Sequence, residues 1–324
     1  MVTRIATATG MAAVTAIALA AVAGCSSSSS SSSSAPSSPA ASASSASNPL
    51  SGGSGGSGSV VVGSANFPES ELLAEVYAIA LQDKGVKATT KLNIGNREVY
   101  YPQIVKGAIT IFPEYNGELL SVEVDKTSTA KTTAAVDAAL TAKLPSTLEI
   151  LNPAPAQDSD SVTVTAATAA KDHLKTIADL APYAKDWTFG APSEFKTRPD
   201  GLPGLKATYG LTFKGFDPLD ESGPITLSAL TGGKVQAADV FTTTPQIITD
   251  HLVALADPKF NFAAQNVIPL VYKADATPTI TSTLNEVSAK LTTAALLQMD
   301  NAVITDKQNY TTVATAFLQT IGIS

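Results

Sequence analysis

Apolar positions between residues 60 and 320 recur with two periods, one typical of strands and the other of helices. Leu72, Leu73, Val76 and Ile79 lie at the spacing of one helix face, whereas V-V-V at 60–62 is typical of a short buried strand. Strands are predicted at 60–62, 87–94, 108–112, 148–151, 162–166, 187–189, 237–241, 252–255 and 267–272, and helices at 67–84, 97–106, 131–143, 170–180, 205–209, 225–230, 279–299 and 306–320. This alternation predicts an α/β fold with mostly parallel sheets.

The order of these elements predicts two lobes. A second run of strands begins near Val162, so the chain is expected to cross over near 157–162 and to return near 262–267. Lobe 1 is then 60–161 plus 267–324, and lobe 2 is 162–266. Ligands of open α/β sheets bind beyond the carboxyl ends of the strands, so the loops after Val62, Phe112 and Phe241 are predicted to form the site.

The amino-terminal pattern differs from the rest of the chain. Arg4 precedes an apolar run at 11–23 that ends in V-A-G-C at 22–25, which is typical of a bacterial lipoprotein signal. Residues 1–24 are predicted to be removed and Cys25 to be lipidated; a plain signal peptide or a short membrane helix is the alternative, although the run is short for a span. Residues 25–59, rich in Ser, Gly and Pro, are predicted to form a disordered tether.

Composition and charge argue against several classes of partner and of chemistry. A formal net charge of −7 argues against nucleic acid or an anionic membrane surface as a partner. Cys25 is the only cysteine, and the two histidines, His173 and His251, form no metal or catalytic motif. We therefore predict no cofactor, no metal site and no catalytic residue. The G-x-S-x-G match at 52–56 lies in the tether and is interpreted as linker.

Five stretches that occur in order resemble the glycine betaine/carnitine/choline substrate-binding proteins of osmoprotectant ABC importers. They are G-S-A-N-F-P-E at 63–69, F-P-E-Y-N-G at 112–117, F-K-T-R-P-D-G-L-P-G-L at 195–205, D-V-F-T-T at 239–243 and Q-N-V-I-P at 265–269. The resemblance implies a type II periplasmic-binding-protein clamshell with two crossover segments. It also implies a protein that hands a small-molecule solute to ABC permease subunits in the membrane. We expect a monomer held by its lipid anchor on the extracytoplasmic face of the cell membrane.

Two residues take the places of ligand contacts in that family. Tyr115 stands at a tyrosine whose face holds quaternary ammonium, a group that cannot donate a hydrogen bond. Arg198 stands at an arginine able to grip a ligand carboxylate, and the two are expected to act from opposite lobes. Alternatively, Arg198 forms a structural bridge to Asp200 or Glu194.

Departures from the family pattern predict a more polar pocket. The stretch D-S-D-S at 158–161 lacks an aromatic residue, and Gln265 replaces a tyrosine. We therefore expect weak binding of glycine betaine and a solute that carries N–H or O–H donors. The candidate ligand-binding residues are Asn66, Tyr115, Glu118, Asp158, Asp160, Arg198, Phe241, Thr242 and Gln265.

Structural and functional alternatives accompany these candidates. Asn66 is also suited to cap a helix, Glu118 is suited to a solvated or helix-N-terminal charge, and Asp158 and Asp160 are suited to a polar hinge. The main functional prediction is a solute receptor rather than an enzyme. The alternatives are an envelope protein of the same fold that binds an amino-acid-like, polyol or aromatic ligand, and an extracytoplasmic enzyme on the same frame.

Overall fold

The computed structural model describes residues 59–323, so the predicted signal segment, Cys25 and the tether lie outside the described residues. Ten strands in this part of the chain form two sheets of five. The strands are β1 (Ser59–Gly63), β2 (Lys87–Lys91), β3 (Ile111–Tyr115), β4 (Leu148–Ile150), β5 (Val162–Thr165), β6 (Thr188–Ala191), β7 (Gly215–Pro218), β8 (Ala237–Asp239), β9 (Leu252–Ala254) and β10 (Val267–Tyr272).

The two sheets define two lobes. Lobe 1 contains the sheet β2-β1-β3-β10-β4, and lobe 2 contains the sheet β7-β6-β8-β5-β9. In each sheet a strand that follows a crossing runs against its neighbours: β10 is antiparallel to β3 and β4, and β5 is antiparallel to β8 and β9. The α/β prediction is confirmed, and four of the five strands in each sheet run in the same direction, as predicted. Only the strand that follows a crossing is reversed, because a chain that passes between the lobes enters the sheet from the opposite end.

Helices cover the sheets. They are α1 (Pro68–Asp83), α2 (Arg97–Val105), α3 (Asn116–Glu118), α4 (Thr133–Lys143), α5 (Ala166–Lys171), α6 (Leu202–Tyr209), α7 (Pro224–Thr231), α8 (Gln246–Thr249), α9 (Pro278–Lys290), α10 (Thr293–Asp300) and α11 (Tyr310–Thr320). Short π-helical segments follow α3 and α10, at Leu119–Val124 and Asn301–Thr305. Leu72, Leu73 and Val76 of α1 are fully buried and Ile79 is partly buried, and the helix packs against the sheet and against α9 and α11.

Local capping chemistry accounts for differences from the predicted helices. The predicted helix 279–299 breaks at Leu291, which has extended backbone, and the hydroxyl of Thr292 caps α10. The predicted helix 170–180 ends at Lys171, because His173 has φ +56°, and a capping box between Thr176 and Asp179 starts a separate 3-10 segment.

One further prediction about local structure is wrong, and one strand lies where none was predicted. Asn66 is not the cap of α1, because the N-cap position is occupied by Phe67, which offers no side-chain acceptor. Strand β7 was not predicted, since its sequence G-F-D-P contains glycine and proline; it lies at the edge of its sheet, where such residues are tolerated.

The two crossings between the lobes lie side by side. Gln157 and Asn266 form an antiparallel bridge, the amide of Asp158 donates to the carbonyl of Gln265 at 3.2 Å, and the amide of Val267 donates to the carbonyl of Ala156 at 3.1 Å. Both crossings therefore form a short two-stranded ribbon at the base of the cleft. Within 59–323, no helix has the length and apolar character needed to span a bilayer.

Candidate functional site

A pocket lies between the lobes at the carboxyl ends of β1, β3 and β8, and we call it the inner pocket. Its volume is about 50 Å³, which leaves room for a few water molecules. The sixteen lining residues come from both lobes and from the crossings: Ala65, Phe67, Asn96, Arg97, Tyr100, Tyr115, Glu118, Asp158, Asp160, Pro192, Phe195, Arg198, Glu221, Asp239, Phe241 and Gln265.

Arg97, in the first turn of α2, organises the lobe 1 wall. Its guanidinium group donates to Glu114 and to Glu118, each at 3.0 Å, and the hydroxyl of Tyr100 donates to Glu114 at 2.7 Å. Glu118 is not solvated, because its side chain is buried and paired, although it does lie in the first turn of α3, as the alternative of a helix-N-terminal charge predicted. Burial would raise the pKa of Glu118, but the guanidinium groups of Arg198 and Arg97 lower it, so the carboxylate is ionised.

Arg198 reaches across the cleft from lobe 2. It pairs with Glu98 at 3.0 Å and with Glu118 at 3.4 Å, both in lobe 1, and with Glu194 at 3.9 Å in its own lobe. The alternative of a bridge to Glu194 is therefore observed, whereas a bridge to Asp200 is not among its ion pairs. Three carboxylates already surround this guanidinium group, so it acts first as a connection between the lobes.

Aromatic rings from both lobes meet at one end of the inner pocket. The ring of Phe67, from the loop after β1, lies 6.1 Å from that of Tyr115 and 5.2 Å from that of Phe241. The hydroxyl of Tyr115 donates to the carboxylate of Glu69. Phe241 approaches from lobe 2, so the aromatic wall is complete only when the lobes are together.

The first crossing brings polar side chains to the inner pocket, next to these aromatic rings. Asp158 accepts hydrogen bonds from the Thr242 hydroxyl and the Thr243 amide, both at 3.0 Å, and the Thr243 hydroxyl donates to Glu69 at 2.6 Å. Gln265, from the second crossing, accepts a hydrogen bond from the Glu118 amide at 2.9 Å through Oε1, while its Nε2 has no partner.

Seven of the nine predicted ligand-binding residues line the inner pocket, whereas Asn66 and Thr242 do not. Thr242 supports Asp158 from behind, and Asn66 lines a neighbouring cavity. Sequence reasoning missed Arg97, Phe67 and Asp239. Phe67 and Asp239 were inside the quoted motifs, but Arg97 was outside them, and only its position at the start of a predicted helix could have drawn attention to it.

Carboxyl groups outnumber cations in this pocket. Its lining includes five acidic residues, Glu118, Asp158, Asp160, Glu221 and Asp239, against two arginines. Burial raises the pKa of Asp239 to about 8, and burial together with Asp239 raises that of the adjacent Asp160. Oxygen Oδ1 of Asp239 is buried without a hydrogen-bond partner. The pocket is therefore suited to a positively charged group that can also donate a hydrogen bond.

Comparisons with known proteins agree with this arrangement. Residues 58–320 match the family model described as the substrate binding domain of ABC-type glycine betaine transport system. The chain is 27% identical over 277 residues to the glycine betaine-binding protein YehZ of Escherichia coli (strain K12), covering 81% of this chain and 90% of that protein. It is 23% identical over 273 residues to the ergothioneine transport permease/ergothioneine binding protein EgtU of Helicobacter pylori (strain G27), covering 82% of this chain and 48% of that protein.

Solved structures support the fold. The crystal structure of a glycine betaine/carnitine/choline ABC transporter protein superimposes with a TM-score of 0.64 at 22% identity, covering 82% of this chain and 99% of that chain. This likeness confirms the two-lobe α/β fold class, and the family match confirms the resemblance drawn from the five motifs. The relatives are binding proteins, which confirms that the chain is not an enzyme. The pocket lies between two lobes, and the family model matches residues 58–320, which contain both of them. The chain therefore belongs to the family of substrate-binding domains of ABC-type glycine betaine transport systems.

Proposed function

We propose that the protein binds a small cationic solute carrying at least one O–H or N–H donor and delivers it to an ABC importer. The observation that carries this proposal is the inner pocket, where aromatic faces from both lobes stand beside a surplus of carboxyl groups. A cation gains from both: the rings attract positive charge through their faces, and the buried acids, which hold protons in the unliganded cleft, can release them and stabilise the cation as carboxylates. A donor on the solute would satisfy the unpartnered Oδ1 of Asp239.

The solute enters when the lobes part. A volume of about 50 Å³ is too small for a solute of eight or so heavy atoms, so the cleft must be wider when a solute is bound than in the arrangement described here. Contacts across the cleft hold it closed: Arg198 with Glu98 and Glu118, Thr243 with Glu69, and Ser121 with Asp200. Binding would then follow the hinge closure of two-domain binding proteins, with the pocket complete only after closure.

Choline suits this pocket better than glycine betaine does. Both carry trimethylammonium, which each aromatic face stabilises by about 0.5–2 kcal/mol. Choline adds a hydroxyl donor, whereas glycine betaine adds a carboxylate that would face acidic neighbours. Arg198 is already paired with carboxylates, so it is not available to grip that group without leaving Glu98 or Glu118.

Isothermal titration calorimetry on residues 59–324 tests the proposal, with choline, glycine betaine, carnitine and proline as ligands. We expect choline to bind at least about tenfold more tightly than glycine betaine, the difference of roughly 1.4 kcal/mol that one charge-assisted hydrogen bond supplies. Micromolar binding of glycine betaine, equal to or tighter than that of choline, would contradict the proposed donor preference. No binding of choline, glycine betaine or carnitine would refute a quaternary ammonium group as the cationic part of the solute.

We also propose that Cys25 carries the lipid anchor and that residues 25–59 tether the two lobes to the outer face of the membrane. Lobe 1 would be 60–161 plus 267–324, lobe 2 would be 162–266, and the protein would be a monomer. The V-A-G-C pattern at 22–25 supports this. A Cys25→Ser variant is expected to lose the lipid and to appear in the medium or to remain unprocessed. Unchanged membrane retention and unchanged mature mass would show that the thiol is not the anchor.

A further inference from the structure

A second cavity opens beside the inner pocket, and we call it the outer chamber. Its volume is about 760 Å³, within the range of about 300–1,000 Å³ that is usual for small-molecule sites. Lobe 1 contributes the start of α1, the loop at 95–99 and the segment around 300–310. Lobe 2 contributes the loop at 219–224 and residues 241–246. The outer chamber is thus a second part of the same interlobe cleft.

The two cavities share a wall. Phe67, Asn96 and Phe241 line both of them, and the Phe67 and Phe241 rings come from opposite lobes. Glu69 lines the outer chamber and accepts a hydrogen bond from Tyr115, which lines the inner pocket. A carboxyl group therefore separates the aromatic wall of the inner pocket from the outer chamber, and a solute longer than choline has a place to extend once the lobes part.

Asp300 is a buried acidic residue in the lining of the outer chamber. Its side chain is 1% exposed. Neither carboxylate oxygen makes a well-formed hydrogen bond, and its nearest hydrogen-bonding neighbours are the carboxyl group of Glu69 and the hydroxyl of Thr243. Asp300 ends α10 where the helix widens into the π-helical segment Asn301–Thr305, and Val303 and Ile304 of that segment also line the chamber. Such π-helical insertions are frequent at functional sites.

Other buried polar atoms that line the chamber are also hydrogen-bond acceptors without a donor. Oε1 of Gln246 and Oδ1 of Asn96 are buried without partners, and both are acceptors like the oxygens of Asp300. Apolar side chains such as Leu227 and Val303 complete the walls. A site with several free acceptors and apolar walls is complementary to a donor-rich cation on an apolar body.

A proton is the competing partner of Asp300. Burial raises its pKa to about 7, and Glu69, Asp158 and Thr243 lie near enough to influence it. Lys307, Tyr310 and Glu221 also line the chamber. A proton shared between Asp300 and Glu69 would neutralise one charge, but it would leave the acceptors of Gln246 and Asn96 unpartnered. An ammonium group carries three N–H donors, so it can pair with Asp300 and still donate to a further acceptor.

We propose that the outer chamber is a second recognition subsite, in which Asp300 receives an ammonium group at the end of an extended, partly apolar solute. This inference rests on the proposed function, because it places the other end of the solute in the inner pocket. The substrate class would then be a cation larger than choline that bears a second, hydrogen-bonding nitrogen.

Two matched probes, hexyltrimethylammonium and 6-aminohexyltrimethylammonium, test the subsite by calorimetry on residues 59–324 at pH 8. They differ only in the terminal ammonium. Wild type is expected to bind the amino probe at least about tenfold more tightly, as a charge-assisted hydrogen bond to a buried group predicts. Asp300→Asn, which keeps the shape and removes the charge, should abolish this preference and leave the affinity for hexyltrimethylammonium unchanged. Asp306→Asn removes an exposed carboxylate from the same segment and should keep the preference.

Equal affinity of wild type for both probes, or a preference that survives in Asp300→Asn, would overturn the subsite. Failure of both probes to bind would instead refute the binding of a quaternary ammonium group at the aromatic wall of the inner pocket. In that event hexylamine alone decides the outer chamber by ligand-observed NMR. Binding that Asp300→Asn removes and Asp306→Asn keeps supports the subsite, and absence of binding to wild type overturns it.

Discussion

Arg198 connects the two lobes by ion pairs that the sequence does not reveal. It was expected to hold a ligand carboxylate, but its guanidinium group lies against Glu98 and Glu118 of lobe 1. Both carboxylates keep a lowered pKa in its presence, although burial opposes this. The residue therefore contributes to binding chiefly by stabilising the closed cleft.

An Arg198→Ala variant is expected to weaken solute binding by well over tenfold, because removing one member of a buried, hydrogen-bonded charge pair costs about 2–5 kcal/mol. Calorimetry with choline measures the affinity, and small-angle X-ray scattering should report a wider unliganded molecule. Lys196→Ala removes an exposed charge from the same loop and should change neither quantity. Equal affinity of the two variants would remove Arg198 from the closing mechanism.

At the scale of elements, the loop that carries Arg198 shows why its motif contains glycines. A Cβ atom on Gly201 would lie 2.0 Å from the carbonyl oxygen of Phe195, and one on Gly204 would lie 2.6 Å from that of Pro199. The chain thus folds back tightly on itself before α6 begins, which presents Arg198 to the cleft. In R-P-D-G-L-P-G-L the glycines permit the close backbone approach that positions the arginine.

Elements with a strong apolar period, such as α1 and β10, were predictable because burial of one face or of both faces dictates their sequence. Elements set by contacts distant in sequence were not predictable. Strand β7 depends on pairing with β6, and Arg97 joins the site only because α2 packs near Glu114. The motifs located most of the candidate site, but the pairing of Arg198 with Glu98, a hundred residues away in sequence, needed the folded chain.

At the scale of the whole molecule, the cleft concentrates buried acids. Burial raises the pKa of Asp239 to about 8 and those of Asp300 and Glu221 to about 7. In the unfolded chain these groups titrate near pH 4. The folded protein therefore holds protons that the unfolded chain releases, and its stability decreases as pH rises from about 4 through 8.

The melting temperature of unliganded residues 59–324 is therefore expected to be higher at pH 6 than at pH 8. Each group whose proton occupancy differs between the folded and unfolded states in this window contributes at most about 1.4 kcal/mol per pH unit to the free energy of unfolding. Differential scanning calorimetry in buffers without amines measures the slope. Asp239→Asn should flatten it, whereas the exposed substitution Asp306→Asn should not. A melting temperature that rises toward pH 8 would contradict buried, protonated acids in the cleft.

The ribbon formed by the two crossings has a mechanical consequence. Because Gln157 and Asn266 are bridged and their neighbours exchange backbone hydrogen bonds, neither crossing can bend without the other. Twisting one lobe about the long axis of the molecule would shear these bonds, whereas bending the ribbon across its width leaves them intact. We therefore expect the lobes to rotate about a single axis across this ribbon as the cleft opens and closes. If several pairs of spin labels are placed on the two lobes, the distances of all pairs should accordingly depend on one opening angle and should change together.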